Sequence, residues 1–252
     1  HRSAIEAIAF SPDSRLVASG AADGKVVIWD HVARGSDIVI QSFAAAIYGV
    51  AFSPDGRFLA AITGDRNVRL WHADSGAPHG RVGKHESRPS AMAFSPDSTL
   101  LATGATDGTI RFWNTATGEL AGSLQGHDAG AVSGILFSGG GRRVLSGSHD
   151  GTVRIWDSPG SDPGTVVRGL AQIPFVATSI DSRIAVVGSR RGTLAAIDLA
   201  AAREIERTAS PGDSWFAFAA TPDAGRIAAG SDDGNLRLWD RAGGGVHVVR
   251  RA

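Results

Sequence analysis

The sequence contains no cysteine, and this absence excludes disulfide bonds and thiolate metal sites. Lysine is scarce as well, since only Lys25 and Lys84 stand among 25 basic residues and the others are arginine. Because 25 acidic residues balance them, the formal net charge is zero, and no global field favours nucleic acid or an anionic membrane as a partner. No apolar run approaches the roughly 20 residues that a membrane-spanning helix needs.

The composition is that of a folded protein. Apolar residues make up 42% of the 252 positions and charged residues 20%, which argues against disorder and gives enough material for a core. The preference for arginine, together with abundant alanine and glycine, indicates the coding bias of a GC-rich genome, and we expect a bacterial source. We expect a cytoplasmic protein. The chain starts at His1 and not at methionine, so a trimmed chain, a fragment or a removed signal peptide stays open.

An internal repeat of about 42 residues dominates the chain. Similar segments such as "DGKVVIWD" and "DGTVRIWD" close at Asp30, His72, Asn114, Asp157, Asp198 and Asp240, at intervals of 42, 42, 43, 41 and 42 residues. Six repeats fill the sequence and leave no room for another domain. We place them approximately at 1–41, 42–83, 84–125, 126–169, 170–209 and 210–252.

Each repeat has the same internal order of strand and turn signals. An apolar alternation runs into a "SPDG"-like turn, a second apolar run follows, and Asp-Gly then marks a tight hairpin before a strand that ends in tryptophan. A weaker fourth run completes the repeat. Four short strands per repeat and no helical period predict an all-β protein in which six four-stranded antiparallel sheets stack radially as the blades of a β-propeller.

With these turns and five tryptophan-ended strands, the chain resembles the WD40 repeat family over its whole length. The resemblance implies a WD40 β-propeller, either a ring of six blades or part of a seven-bladed or longer array. It also implies a structural hydrogen-bonded set of His, Ser or Thr, Asp and Trp in each complete blade. The positions that match are His1, Ser19, Asp23 and Trp29 in repeat 1, His85, Thr103, Asp107 and Trp113 in repeat 3, and His127, Ser146, Asp150 and Trp156 in repeat 4.

The stretch "SHDGTVRIWD" at 148–157 places serine, histidine and aspartate side by side, as a catalytic triad would require. Neighbouring strand residues point to opposite faces, so His149 and Asp150 are poorly placed to share a site. The resemblance makes His127 the partner of Asp150, and we interpret the stretch as structural. Repeats 2, 5 and 6 depart from the pattern, with Ala61, Val187 and Ala229 in the hydroxyl position, and we expect them to depend on apolar packing.

Other chemistry has little support in the sequence. The eight histidines show no metal-ligand spacing and no "HExxH" pattern, so we predict no metal site and no cofactor. The "GGG" stretch at 139–141 is followed neither by a helical pattern nor by the Lys-Ser/Thr of a nucleotide loop, which indicates a turn. The arginine pairs are too scattered for a nucleic-acid surface, and no catalytic residue is assigned.

The resemblance implies that a protein or peptide binds on the face near the central channel. Matched to the exposed positions of the family, the candidate partner-binding residues are Tyr48, Arg88, His149, Arg190, Phe216 and Asp232. Aromatic residues and arginine often dominate interface energetics. We expect a non-enzymatic scaffold that forms a regulatory or sensory part of a larger protein. The alternatives are an enzyme with its active site at the channel mouth and a domain that binds its own neighbouring catalytic domain.

Overall fold

The computed structural model describes residues 1–32, 38–40, 43–128, 130–158, 165–167, 170, 175–178, 183–209, 215–221, 223–231, 233–243 and 245–249. These residues form strands and turns and no helix. In the same part of the chain there is accordingly no helix long and apolar enough to cross a membrane. The chain divides into two compact units, 1–124 and 125–252.

The first unit contains three antiparallel sheets, each built from four strands that are consecutive in the chain and adjacent in the sheet. Sheet 1 comprises β1 (Ile5–Phe10), β2 (Leu16–Ala21), β3 (Val26–Asp30) and β4 (Ile38–Ile40). Sheet 2 comprises β5 (Ile47–Phe52), β6 (Phe58–Thr63), β7 (Asn67–His72) and β8 (Pro78–Lys84). Sheet 3 comprises β9 (Pro89–Phe94), β10 (Leu100–Ala105), β11 (Ile110–Asn114) and β12 (Leu120–Leu124).

The second unit repeats this arrangement three times. Sheet 4 comprises β13 (Val132–Phe137), β14 (Arg143–Ser148), β15 (Val153–Asp157) and β16 (Val166–Val167). Sheet 5 comprises β17 (Phe175–Thr178), β18 (Ile184–Gly188), β19 (Thr193–Asp198) and β20 (Arg203–Ala209). Sheet 6 comprises β21 (Trp215–Ala220), β22 (Arg226–Ser231), β23 (Leu236–Asp240) and β24 (Gly245–Val249). The predicted six sheets of four antiparallel strands are therefore confirmed.

The core of each unit lies between neighbouring sheets. In sheets 2 to 5 the second strand is buried on both faces, and in β6 all six residues are buried. Ala18 and Ile28 of sheet 1 share one apolar cluster with Leu59 and Trp71 of sheet 2. Small side chains allow the close approach, since a Cβ at Gly20 would lie 2.5 Å from Ile47 Cγ2. An isolated four-stranded sheet would leave these faces in water, so stacking supplies most of the apolar burial.

The "SPDG"-like turn joins the first strand of a sheet to the second, and it has the same hydrogen bonds in sheets 1, 2 and 3. In sheet 1, Ser14 N–H donates to Ser11 O (2.8 Å) and Ser11 N–H donates to Leu16 O (2.9 Å). The Ser11 hydroxyl donates to Asp13 Oδ1 at 2.5 Å, and Arg15 N–H donates to the same oxygen at 3.0 Å. The aspartate thus closes the turn by accepting two hydrogen bonds.

Strand β1 presents an apolar row to solvent. Ile8 and Phe10 are 66% and 63% exposed, whereas Val50 and Phe94, which occupy corresponding positions in sheets 2 and 3, are 8% and 9% exposed. The sequence alternation is similar in all three strands, so the difference comes from what packs against each strand. The expectation of further repeats beside these six stays a prediction.

Candidate functional site

The third strand of sheet 4 ends at Trp156, and this side chain is joined to three polar groups. Trp156 Nε1–H donates to Ser146 Oγ at 2.8 Å. His127 Nε2 lies 2.7 Å from the same oxygen, and His127 Nδ1 lies 2.9 Å from Asp150 Oδ2. The register Val144↔Trp156 and Ser146↔Arg154 places the serine and tryptophan on adjacent strands. The structure therefore brings together all four residues that the sequence assigns to repeat 4.

Chemistry fixes the direction of each hydrogen bond in this set. A carboxylate only accepts, so His127 Nδ1 carries the ring proton and donates it to Asp150. An indole N–H only donates, so Ser146 Oγ accepts from Trp156, and its own hydroxyl proton is then available for His127 Nε2. The histidine is consequently a neutral connector between a carboxylate and a hydroxyl, with the same hydrogen-bond directions as in a catalytic triad. Ser146, however, is fully buried and its oxygen accepts from Trp156, so this arrangement stabilises the fold.

Repeats 1 and 3 reproduce the arrangement to different extents. In sheet 1, His1 contacts Asp23 Oδ1 at 3.2 Å and Ser19 Oγ at 2.8 Å, and Trp29 Nε1–H donates to that hydroxyl at 2.8 Å. In sheet 3, His85 Nε2 and Trp113 Nε1 each lie 2.7 Å from Thr103 Oγ1.

The predicted set of repeat 3 is, however, broken at the aspartate. Asp107 is exposed and accepts hydrogen bonds from the backbone N–H and hydroxyl of Thr109, at 3.0 and 2.6 Å. Among the described residues, His85 Nδ1 has no hydrogen-bond partner. Local donors thus satisfy this carboxylate in water, and Thr103 is the one hydrogen-bond partner of the His85 ring among the described residues.

Burial controls the ionisation of these histidines. It lowers the pKa of His85 to about 4, with a smaller contribution from the positive charge of Arg111. The pKa of His127 is also lowered, mainly by burial, although the hydrogen bond and negative charge of Asp150 oppose the shift. For Asp150, burial acts to raise the pKa, but hydrogen bonds from Thr152 and His127 outweigh it and the pKa lies below its usual value. Both histidines are therefore neutral at pH 7.

Sheets 2 and 6 hold the turn aspartate with arginine where no histidine is available. Arg69 donates to Asp65 Oδ1 at 3.1 Å and Oδ2 at 2.7 Å, and to Thr63 Oγ1 at 2.5 Å. Its guanidinium also lies over the ring of Phe43, 4.1 Å from the centroid. Arg237 holds Asp233 in the same bidentate way, at 3.1 and 2.7 Å. We call each of these two groups an arginine clamp.

The arginine clamps correct the expectation that repeats 2 and 6 depend on apolar packing in place of a polar network. Their sequence signal is an alanine opposite an arginine on the next strand, as in Ala61↔Arg69 and Ala229↔Arg237. A second signal is a hydroxyl two residues before the aspartate, as in Thr63 and Asp65, which are hydrogen-bonded to each other. Only sheet 5 fits the expectation, because Val187 and Ile197 are fully buried and apolar.

In each sheet the turn between the second and third strands lies beside the start of the first strand. We call this region the b–c edge of the sheet, and a second set of predicted residues lies there. One backbone hydrogen bond joins the two parts: Gly64 N–H to Ala46 O and Thr106 N–H to Arg88 O, each 2.9 Å, and His149 N–H to Ala131 O, 3.0 Å. The predicted exposed positions of a repeat are thus held side by side.

Tyr48 and Arg88 meet at the b–c edges of sheets 2 and 3. The tyrosine is 40% exposed, and the Arg88 guanidinium carbon lies 4.9 Å from its ring centroid. A Cβ at Gly64 would lie 3.2 Å from Tyr48 Cε2, so the ring rests on this glycine. An aromatic ring with an exposed cation above it offers apolar area and positive charge at one point.

Comparison with known proteins agrees with this architecture. The family model described as the IFT122 first beta-propeller matches residues 1–240. The chain belongs to this family. Among solved structures, a chain of the "Crystal Structure of Mitotic Checkpoint Complex" is 21% identical, has a TM-score of 0.82, and matches over 97% of this chain and 78% of that chain. That likeness shows the WD40 β-propeller fold. No curated protein matches the chain.

The other predicted partner-binding residues of the propeller are placed to different degrees. His149 is exposed in the b–c turn of sheet 4, and Arg190 is exposed in the corresponding turn of sheet 5. Phe216 lies on β21, where the backbone alone is described, and Asp232 lies outside the described residues. Tyr48 and Arg88 are therefore the predicted pair for which the propeller gives a side-chain contact.

No metal centre is found in the part of the propeller that is described: it contains no group of three or more His, Asp or Glu side chains that could hold a metal ion. Asp150 is hydrogen-bonded to His127, while the adjacent His149 projects at the b–c edge. Ser148 Oγ accepts from Asp150 N–H at 3.1 Å and donates to Gly130 O at 3.0 Å. In the described structure the exposed His149 is hydrogen-bonded to neither of these two side chains, so the three residues do not form a triad.

Proposed function

We propose that this β-propeller is a non-enzymatic interaction module that binds a protein or peptide at the b–c edges of sheets 2 and 3. The observation that supports this most directly is the exposed Tyr48 ring with Arg88 above it. Tyrosine and arginine are enriched among the residues that dominate interface energetics. WD40 propellers generally serve as protein-interaction scaffolds, which agrees with this function.

The partner that suits this site carries an apolar or acidic group. The tyrosine ring supplies a flat surface, and the arginine can donate to a carboxylate once a ligand displaces water. The backbone hydrogen bond between Thr106 N–H and Arg88 O fixes the start of strand β9, so the arginine projects from an ordered position. We also propose contacts with the partner at His149, Arg190, Phe216 and Asp232. We further propose that the module has a regulatory role in a larger, bacterial protein.

The test is selection of peptides from a random displayed library on the immobilised protein, followed by affinity measurement with variants. We expect selected peptides to bind Tyr48→Ala and Arg88→Ala about tenfold more weakly, since loss of an interface anchor costs roughly 1–2 kcal/mol. Leu120→Ala is the matched control, because this leucine is 53% exposed on β12. Peptides that bind all three variants as tightly as the parent would refute the assignment.

A further inference from the structure

The turn between β13 and β14 lacks the carboxylate that closes the other described turns of this type. Sheets 1, 2, 3 and 6 have Asp13, Asp55, Asp97 and Asp223 at this position, whereas sheet 4 has Gly140. In those four sheets the aspartate accepts from the turn hydroxyl at 2.5–2.6 Å. It also accepts from the backbone N–H two residues later at 2.9–3.1 Å.

Sheet 4 nevertheless retains the rest of this turn. Ser138 N–H donates to Arg143 O and Gly141 N–H donates to Ser138 O, both at 2.8 Å. Arg143 N–H donates to Ser138 Oγ at 3.1 Å. These are the bonds that Ser11 makes in sheet 1. The two donors to the Asp13 carboxylate there are the Ser11 hydroxyl and Arg15 N–H, and their counterparts in sheet 4 are the Ser138 hydroxyl and Arg142 N–H. A Cβ built at Gly140 meets no atom within 4 Å, so the space of the missing side chain is open.

A cavity of about 820 Å³ lies at this place, and arginine dominates its polar lining. Arg142 and Arg183 are both exposed there, the latter with 68% of its side chain accessible. Ser158 also lines the cavity, and its Oγ is buried without a hydrogen-bond partner among the described residues.

Among the described residues that line the cavity there are three arginines and one carboxylate, Asp157. Arg143 donates to Leu199 O and Ala200 O, at 2.7 and 2.5 Å, and its Nε lies 3.5 Å from Asp157. The Arg183 guanidinium is 4.0 Å from Asp198, which lies outside the lining.

The sister turns show that the position favours an anion. The serine hydroxyl lowers the pKa of Asp13, and the backbone N–H of Arg15 adds to the effect. The pKa of Asp97 and Asp223 is lowered by the same two kinds of donor, with the hydroxyl contributing most. A hydroxyl and an N–H that converge on one oxygen stabilise the ionised carboxylate.

We propose that the turn at Ser138–Arg142 binds the carboxylate of an aspartate or glutamate in an acidic peptide. The bound oxygen replaces Asp Oδ1 of the sister turns, accepting from the Ser138 hydroxyl and Arg142 N–H, and the side chains of Arg142 and Arg183 face the remaining negative charge. This site belongs to sheet 4 and shares no residue with the binding site proposed above on sheets 2 and 3, so it does not depend on that function.

The experiment uses the whole chain labelled with ¹⁵N and the acetylated, amidated peptide Gly-Asp-Glu-Asp-Gly at low salt. We expect the amides of residues 139–143 to shift saturably with the acidic peptide and to stay unchanged with its neutral counterpart Gly-Asn-Gln-Asn-Gly. Gly140→Asp restores the repeat's own carboxylate and should weaken binding at least about tenfold, because it occupies the hydroxyl and the N–H. Backbone φ at Gly140 is not positive, so aspartate fits there.

The matched control is Gly139→Pro, which copies Pro12 of sheet 1 without filling the carboxylate position and should bind as the parent does. Arg183 lies outside the turn, so Arg183→Ala tests the site independently of the turn variants and should weaken binding several-fold. Equal affinity for parent and Gly140→Asp, or for acidic and neutral peptides, overturns the proposal. Acetate or inorganic phosphate that shifts the amides as strongly as the peptide does also overturns it, because the ligand is then a free anion. Tyr48→Ala should leave these shifts unchanged.

Discussion

Replacement of Ser146 by alanine tests the view that its hydroxyl stabilises sheet 4 by joining two buried polar groups. The change removes one oxygen, and Trp156 Nε1–H and His127 Nε2 lose their partner, at side chains whose residues are 1% and 4% exposed. Each buried polar group left unpaired costs about 1–3 kcal/mol, so with two groups we expect the free energy of unfolding to fall by about 2–6 kcal/mol. The melting temperature should then fall by about 6–18 °C.

The assay is urea unfolding followed by tryptophan fluorescence, with Ser133→Ala as the control in the same sheet. Ser133 is half-buried and donates to Gly147 O at 3.2 Å, so its loss should cost less than about 1 kcal/mol. If Ser146→Ala costs no more than this control, the hydroxyl is not the stabilising junction that we describe. Adding Trp156→Ile, as in sheet 5, should recover part of the loss, because the unpaired indole N–H is then removed.

Three further outcomes follow from the structure. Folding lowers the pKa of His85 from 6.5 to about 4, so the unfolded chain binds the proton more tightly and stability is lost as pH falls from about 6.5 towards 4. Lowering the pH from 7 to 5 should therefore reduce the free energy of unfolding by about 2 kcal/mol, measured by calorimetry. His85→Gln should reduce this pH dependence. In urea unfolding, Arg69→Met should lower the free energy of unfolding by about 1 kcal/mol more than Arg111→Met does. The first variant breaks a partly exposed bidentate ion pair, whereas the second removes a hydrogen bond to a backbone carbonyl. Equal losses for the two variants would contradict the arginine clamp. Gly20→Ala should lower stability by about 1–3 kcal/mol through the contact of its Cβ with Ile47, which differential scanning calorimetry can measure.

The period of the sequence predicted the fold well because each repeat carries its own turn chemistry. The Asp-Gly and Ser-Pro-Asp positions specify local backbone angles, and strand alternation specifies which side chains share a face. The set that joins His127 with Ser146 and Trp156 within one sheet was predicted from the resemblance to WD40 repeats, not from this local chemistry.

Contacts that depend on how a side chain turns were beyond that reasoning. Arg69 and Arg111 occupy the same strand position, yet the first holds Asp65 and the second bonds to Lys84 O. Repeat 3 has His85 on Thr103 and repeat 2 has no histidine at that place, but strand spacing alone does not tell which way the arginine side chain then turns. Similarly, Ile8 and Val50 have equivalent places in the strand alternation and differ in exposure because of the sheets around them.

The arginine opposite the hydroxyl position has a consequence for how the repeats tolerate mutation. Arg154 already stands in sheet 4 beside His127, with its Nε buried and unpartnered in the described structure. A repeat that loses its histidine therefore still has a cation on the next strand of the same sheet that can pair with the turn carboxylate. Sheets 2 and 6 have this pairing, with an alanine in the hydroxyl position and the arginine on the aspartate. Redundant partners of this kind let individual repeats diverge in sequence while the array keeps one fold.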